Sequence, residues 1–155
     1  MDALTGLPDH SELSAWLANH ADADVSLILL DVDDLSRFNR RDGHEQTDAL
    51  LADLGSVIQS RCGGKDVAAR IGGDEFALGL LGDDLNLDQV RHEVEDIRAR
   101  FRDLSRGGTL SIGVCDSATL RRGPNPSLLQ AADDALAEAK QHGPQGFVVF
   151  RPHHR

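Results

Sequence analysis

Apolar positions recur along this chain with two periods, and their succession lays out the fold. Around Gly72-Gly73 the period is two: Val67, Ala69 and Ile71 before the pair, then Phe76, Leu78 and Leu80 after it. That reads as two strands, roughly 66–71 and 75–80. The glycines between them read as a tight hairpin turn, since glycine takes positive φ without steric cost. The apolar stretch Val25 to Leu30 has strand length and is expected centrally in a sheet. Thr109–Ala118 alternates again, with Leu110, Ile112 and Val114 on one face, and Phe147–Phe150 makes a short last strand. Elsewhere the period is helical. Leu13, Trp16 and Leu17 stripe a helix capped by Asp9 or Ser11 and running to about His20. Leu50, Leu51, Leu54, Val57 and Ile58 stripe one from about Glu45 to Ser60, ended by Gly63-Gly64. Val90, Val94, Ile97, Phe101 and Leu104 stripe a third, from about Leu87 to Leu104. The last, capped by Ser127, runs to about Gln141 on Leu128, Leu129, Ala132, Ala135, Leu136 and Ala139.

The segments between carry turn residues. Asp2 to Pro8 reads as an ordered loop, Ala21–Asp24 as a linker, and Leu35–Gly43, polar and Arg-rich, as a helical turn followed by a loop. Gly82-Asp83-Asp84 reads as a turn, Arg121–Asn125 as a loop, and Arg151–Arg155 as a frayed tail. With no internal repeat or interdomain linker, one domain is expected over residues 1–150, followed by the tail 151–155. Helices and strands are mixed and a hairpin sits mid-chain, so the expected class is α+β, a mixed α/β sandwich rather than a doubly wound sheet.

Composition changes this picture in two places. The net charge of −10 argues against a nucleic-acid backbone as partner, which needs a basic face. The chain has no tyrosine and one tryptophan, Trp16, so a stacking platform for single strands is not expected either. A small nucleotide remains compatible if a divalent cation supplies the missing positive charge. Val25–Leu30 is far too short to span a bilayer, no signal peptide is visible after Met1, and Cys62 and Cys115 have neither metal nor disulfide spacing. A cytoplasmic protein with reduced cysteines is the expectation.

The candidate chemistry is acidic. Asp31-Val32-Asp33-Asp34 follows the first strand, and Asp74-Glu75 follows the glycine pair. Two acidic strand ends brought together would suit a hard divalent cation.

Five blocks carry a resemblance: Asp2-Ala3-Leu4-Thr5-Gly6-Leu7-Pro8; Asp31-Val32-Asp33 with Phe38-Asn39, Gly43-His44 and Asp48; Gly72-Gly73-Asp74-Glu75-Phe76; Leu110-Ser111-Ile112-Gly113-Val114; and Ala132-Asp133-Asp134-Ala135-Leu136 with Ala139-Lys140 and Gly143. In that order and over nearly the whole chain, they resemble the GGDEF, or diguanylate cyclase, domain. The resemblance implies a five-stranded central sheet flanked by helices, related to the palm of polymerases and nucleotide cyclases. It implies condensation of two GTP molecules to cyclic di-3′,5′-guanylate with release of two pyrophosphates. Each domain would hold one GTP, the active unit being an antiparallel homodimeric pair of domains brought together by an upstream sensor or stalk.

By the same resemblance Asp31, the Val32 carbonyl and Asp74 bind Mg²⁺ or Mn²⁺, and Glu75 is a further ligand or a proton acceptor, or else a hairpin residue paired with Arg70. Gly72 and Gly73 let backbone approach phosphate. Asn39 and Asp48, with His44 at the matching offset, face the guanine edge. A carboxylate there accepts from guanine N1–H and the exocyclic amine, and ATP would leave it unpaired. Leu35 and Leu51 are walls of the base pocket or plain core residues. Lys140 reaches the triphosphate as a point charge, or is a surface lysine.

The chain departs from the family pattern where phosphate is bound. Ser36 stands where lysine is usual, beside Arg37; Pro144 stands for arginine and Gln145 for asparagine. Two lost charge-assisted bonds at about 1.5–3 kcal/mol each would weaken GTP binding about a hundredfold or more, unless Arg37, Arg40 or Arg41 replaces them. The family's product-inhibition site needs Arg-x-x-Asp before the hairpin. Here Gly63-Gly64-Lys65-Asp66 keeps only Asp66, and Arg61 falls two residues early. Two readings therefore stand side by side. One is a metal-dependent cyclase, carried by Asp31, Asp74 and Glu75. The other is a non-catalytic module that binds GTP or a partner and regulates a neighbouring domain, suggested by Ser36 and Pro144. A different nucleotidyl cyclase is disfavoured by Asn39 with Asp48.

Overall fold

The computed structural model describes residues 1–82, 87–121 and 123–152. The turn expected at Gly82-Asp83-Asp84 and the end of the expected tail lie outside the described residues.

The elements run α1 (His10–Asn19), β1 (Val25–Val32), α2 (Leu35–Asp42), α3 (His44–Gln59), β2 (Val67–Arg70), β3 (Glu75–Leu81), α4 (Leu87–Ser105), β4 (Leu110–Asp116), a short 3-10 turn (Ser117–Leu120), α5 (Leu128–Gln141) and β5 (Phe147–Val149). The strands form one sheet in the order β2-β3-β1-β4-β5. All neighbours are antiparallel except β4 and β5. The class is α+β, as the mixed order of the hydrophobic periods indicates.

β1 lies at the centre and every residue of it is buried. Its even-numbered residues Ile28, Leu30 and Val32 face one core layer with Leu51, Leu54 and Ile58 of α3 and Val94, Ile97 and Phe101 of α4. Its odd-numbered residues Leu27 and Leu29 face the other with Leu13 of α1 and Ala131, Ala132 and Leu136 of α5. Both faces being covered, the period of two in the hairpin marks which layer a residue joins rather than a dry face against a wet one. Phe76, Leu78 and Leu80 join the first layer, and Val67, Ala69 and Ala77 the second.

α5 packs on the sheet at backbone distance. A Cβ at Gly113 of β4 would stand 2.3 Å from the Leu136 nitrogen, and one at Gly146 would stand 2.0 Å from the Ala139 carbonyl oxygen. Only glycine fits there, and the alanine stripe on α5 is its complement. α5 thereby delivers the residue that follows the stripe, Lys140, to the end of β1.

Two expectations need correction. Leu35–Gly43 is a helix, α2, rather than a turn and a loop. Its sequence has no apolar stripe. It is held by one buried residue, Phe38, whose ring meets Phe101 edge-on at 6.3 Å and lies under the Arg41 guanidinium at 5.0 Å. β1 also runs on through Asp31 and Val32, so the first acid lies inside the sheet rather than after it. Asp34, at φ 52°, turns the chain from β1 into α2, a left-handed conformation that short polar Asp tolerates.

Candidate functional site

Strand register brings the acids together. Asp31 on β1 pairs with Glu75 on β3 across the antiparallel ladder, and the Val32 amide donates to the Asp74 carbonyl at 2.9 Å. The side chain of Asp31 is 6% exposed and forms an ion pair with Lys140 of α5. Asp74, Glu75 and Lys140 thus surround one buried carboxylate. Burial pushes Asp31 up to about 7; the Lys140 hydrogen bond opposes this and the charge of Asp74 adds to it. Lys140 moves the complementary way: burial lowers it, but Asp31, Glu75 and Asp74 together hold it raised. Glu75 is also raised, first by burial, then by Asp133, with Lys140 opposing. Its Oε1 is buried without a hydrogen-bond partner. Behind it lies a cavity of about 230 Å³ whose lining includes His10, Ile71, Asp133 and Gln130.

The hairpin connection is wider than a two-residue turn. Ile71 and Gly72 both donate to the Glu75 carbonyl, at 2.9 and 3.3 Å, leaving Gly72, Gly73 and Asp74 at the tip. Neither glycine adopts positive φ, which corrects the conformational reason expected for them. A Cβ on Gly73 would meet nothing within 4 Å, so the absence of a side chain there opens space at the tip. Glu75 does not pair with Arg70. Arg70 instead reaches Asp2 at 3.2 Å and the Gly73 carbonyl at 2.7 Å, docking the 2–8 loop on the hairpin tip. Asp2 also accepts from the Thr5 amide and hydroxyl, at 2.9 and 2.7 Å.

α2 and α3 hold the residues expected at a base. Asn39 is half-buried, His44 and Asp48 are exposed, and the Asn39 and Asp48 side chains make no hydrogen bond among the described residues. Leu51 is 2% exposed and belongs to the core, with Leu35 half-buried against it. Of the arginines, Arg41 is committed to Asp42 (2.8 Å) and the Ser105 carbonyl (3.1 Å). Arg40 donates to Ser36 Oγ at 3.2 Å, which in turn donates to Asp34 at 3.0 Å. Arg37 is exposed, with no side-chain partner among the described residues. Pro144 and Gln145 are exposed in the α5–β5 loop, with Gln145 at φ 63°.

Asp66 has a structural use. Its carboxylate accepts the Gly63 amide at 2.7 Å and the Leu81 amide at 2.9 Å, tying the start of β2 to the end of β3. Arg61 is paired with Glu93 at 2.6 Å and Asp96 at 2.7 Å.

Among the described residues, no three His, Cys, Asp or Glu side chains converge to enclose an ion. The pair Asp31 and Asp74, two hard oxygen donors whose mutual repulsion a cation would relieve, fits Mg²⁺ or Mn²⁺. Mg²⁺ takes one or two carboxylates and completes its shell with phosphate oxygens and water. Sequence reasoning missed Asp33, which lies just past the end of β1, two residues from Asp31, and bonds to Thr109, to Ser111 of β4 and to the α5–β5 loop. It also missed Asp133, on the Glu75 side of α5. The even spacing of Asp31 and Asp33 was the available signal for the first.

The sequence profile described as "Diguanylate cyclase, GGDEF domain" matches residues 1–145. The chain belongs to the GGDEF family. This GGDEF domain is 30% identical to the cyclic di-GMP phosphodiesterase PdeR of Escherichia coli over an alignment of 160 positions that covers 97% of the chain. Over 76 residues it is 37% identical to the diguanylate cyclase DgcS of Shewanella oneidensis. It covers 24% and 26% of those proteins, about a quarter of each. The GGDEF domain of DgcB from Caulobacter crescentus, solved in complex with c-di-GMP, superposes with a TM-score of 0.77 at 26% identity, over 96% of this chain and 92% of that one. The five-stranded sheet with its flanking helices is thus the GGDEF fold. No described helix is long and apolar enough to cross a membrane.

Proposed function

We propose that this GGDEF domain is a diguanylate cyclase, condensing two GTP molecules to cyclic di-3′,5′-guanylate with release of two pyrophosphates. The observation that carries the reading is the buried Asp31 carboxylate with Asp74 against it, at the point where the central strand meets the open hairpin tip. Lys140 pairs with Asp31, yet the charge of Asp74 still raises the proton affinity of that carboxylate, which leaves room for a cation between the two acids. Burying a carboxylate beside a like charge is costly unless something positive completes it.

In this reading Asp31, the Val32 carbonyl and Asp74 hold Mg²⁺ or Mn²⁺. When bound, the ion polarises the α-phosphate and makes the attacking 3′-hydroxyl more acidic. Gly72 and Gly73 present the open tip to the triphosphate. Lys140, at the edge of the site beside Asp31, would offer its ammonium to phosphate. Glu75, with a buried and unpartnered Oε1 and a raised proton affinity, accepts the hydroxyl proton. Asn39 and Asp48 read the guanine edge from α2 and α3, with His44 beside them and Leu35 as the apolar wall. Arg37 is the cation left on α2 for the phosphate side. Each domain supplies half of the reaction, so an antiparallel homodimer of domains is the active unit, assembled by a sensor or stalk upstream, in the cytoplasm where GTP is available.

A second reading is favoured by one observation. Ser36 and Pro144 place no cation at the phosphate, and Arg41, the strongest nearby substitute, is already spent on Asp42 and Ser105. A domain that binds GTP weakly and regulates a neighbour would look like this, and the phosphodiesterase similar to this chain is about four times its length. Titration with GTP and Mg²⁺, followed by chromatography for cyclic dinucleotide and pyrophosphate, separates the two. The first reading expects both products, and the second expects binding alone.

A further inference from the structure

Asp33 has no use in the chemistry above, and, unlike Asp34, it is bonded to distant parts of the chain. Both of its carboxylate oxygens are engaged from inside the protein. Oδ1 accepts the Ser111 hydroxyl at 2.5 Å, and Oδ2 accepts the Thr109 hydroxyl at 2.7 Å and the Gln145 amide at 3.0 Å. The first two bonds fix the carboxylate on β4, and the third reaches 112 residues along the chain into the α5–β5 loop.

Gln145 is held at both ends of its backbone. Its amide donates to Asp33, and its carbonyl accepts from Arg98 at 2.9 Å; the same guanidinium nitrogen also reaches the Gly146 carbonyl at 2.9 Å and that of Leu110 at 3.2 Å. The residue so gripped sits at φ 63°, a left-handed conformation unfavourable for a non-glycine side chain. Gly146, next along, lies against the Ala139 carbonyl, and the Gly143 amide donates to the Lys140 carbonyl at 3.2 Å. The end of α5 and the loop after it are therefore tied to the end of β1 twice, through Lys140 to Asp31 in the strand and through Gln145 to Asp33 just past it.

We propose that Asp33 is a positioning residue. It sets the Gly143–Gly146 loop, and with it the last turn of α5 and Lys140, against the triphosphate side of the site. A loop left to relax from the unfavourable Gln145 conformation would swing away from β1 and take the Lys140 turn with it. The inference rests on the proposed GTP site for its effect on ligand, but the latch itself is independent of that reading.

The test compares wild type with Asp33→Asn, Asp33→Ala and Asp33→Ala/Gln145→Gly, in two arms. Amide hydrogen exchange reads the latch without ligand. Titration with GTP and Mg²⁺ reads its consequence. The expected result is at least tenfold faster exchange at Gln145 and Gly146 in Asp33→Ala, with β1 and β3 core amides unchanged. GTP affinity falls about tenfold, equivalent to 1.4 kcal/mol. Asp33→Asn, which keeps one acceptor oxygen, falls between, and Gln145→Gly in the double variant, which removes the cost of the left-handed conformation, slows loop exchange and recovers part of the affinity relative to Asp33→Ala. Wild-type protection of the Gln145 amide in Asp33→Ala would overturn the latch. A released loop with unchanged GTP affinity would overturn its role in the site. Wild type failing to bind GTP at all would overturn the proposed function, while the exchange arm would still decide the latch.

Discussion

Replacing Gly113 by alanine puts the packing argument at risk most sharply. The new Cβ would lie 2.3 Å from the Leu136 nitrogen, 2.6 Å from its Cα and 2.7 Å from the Ala132 carbonyl oxygen. Carbon contacts are at rest at about 3.5–4.0 Å, so α5 must retreat by on the order of 1 Å. The obstacle is helix backbone, and no side chain can rotate out of the way. Retreat also loosens Ala131, Ala132, Ala135, Leu136 and Ala139, all between 0 and 2% exposed. Overpacking costs about 1–3 kcal/mol, and the absence of a flexible neighbour places this case at or above the upper end. For a domain of 155 residues each kcal/mol lowers Tm by roughly 2–4 °C, so the drop should be about 6–12 °C. Thermal unfolding followed by circular dichroism, with Gly64→Ala as control, measures it. A Cβ at Gly64 meets nothing within 4 Å and the residue has no positive φ, so the control should stay within about 2 °C of wild type. A Gly113→Ala protein that also melts within 2 °C of wild type would refute the close approach of α5 to β4.

Three further outcomes follow from the site. Asp31, raised to about 7 by burial, destabilises the folded protein when charged. Its contribution is fully present below the unfolded value near 3.8 and is lost as pH rises towards about 7. In the absence of divalent cation, Asp31→Asn should therefore be more stable than wild type at pH 8, by on the order of 4 kcal/mol with Lys140 already counted in the shift, and should lose the advantage near pH 4; urea unfolding at both pH values checks this, and an advantage that grows towards low pH would contradict it. Asp48→Ala should weaken GTP about tenfold or more and leave ATP unchanged, because only guanine offers the N1–H; equal losses for both nucleotides in calorimetry would remove Asp48 from the base edge. Asp66→Ala should lose about 1–3 kcal/mol of stability through the Gly63 and Leu81 amides, while cyclic di-GMP binds weakly to both proteins; tight dinucleotide binding abolished by the substitution would make Asp66 an inhibitory-site residue instead.

The parts of this molecule that were legible in the sequence are those whose signal is local. β1, the hairpin strands and the stripes of α3, α4 and α5 follow from period, except that Leu104, expected in the α4 stripe, is exposed at the helix end, and Asp9 and Ser127 cap the helices they precede. α2 was not legible because Leu-Ser-Arg-Phe-Asn-Arg-Arg-Asp carries a single core residue, and the helix depends on Phe101 of α4 to cover it. Gly72 and Gly73 were placed correctly for an incomplete reason: positive φ is the commonest demand on a glycine pair, and here the residues serve an open surface instead. The acids at 31 and 74 could be paired from their strand ends, but the Lys140 contact depends on how deep α5 sits, which Gly113 and Gly146 decide. Asp33 and Asp31 are the same residue type two positions apart. Only the folded positions of Thr109, Ser111 and Gln145 show that one of them is already fully bonded.

The central claim is that two GTP molecules are joined at Asp31 and Asp74. The most direct measurement incubates concentrated protein, wild type and Asp74→Ala, with GTP and Mg²⁺ or Mn²⁺, and separates the products by chromatography. The account predicts cyclic di-3′,5′-guanylate and pyrophosphate in a ratio of one to two from wild type and neither from the variant. Bound GTP without product at high wild-type concentration would contradict the cyclase reading, and product surviving Asp74→Ala would contradict the site.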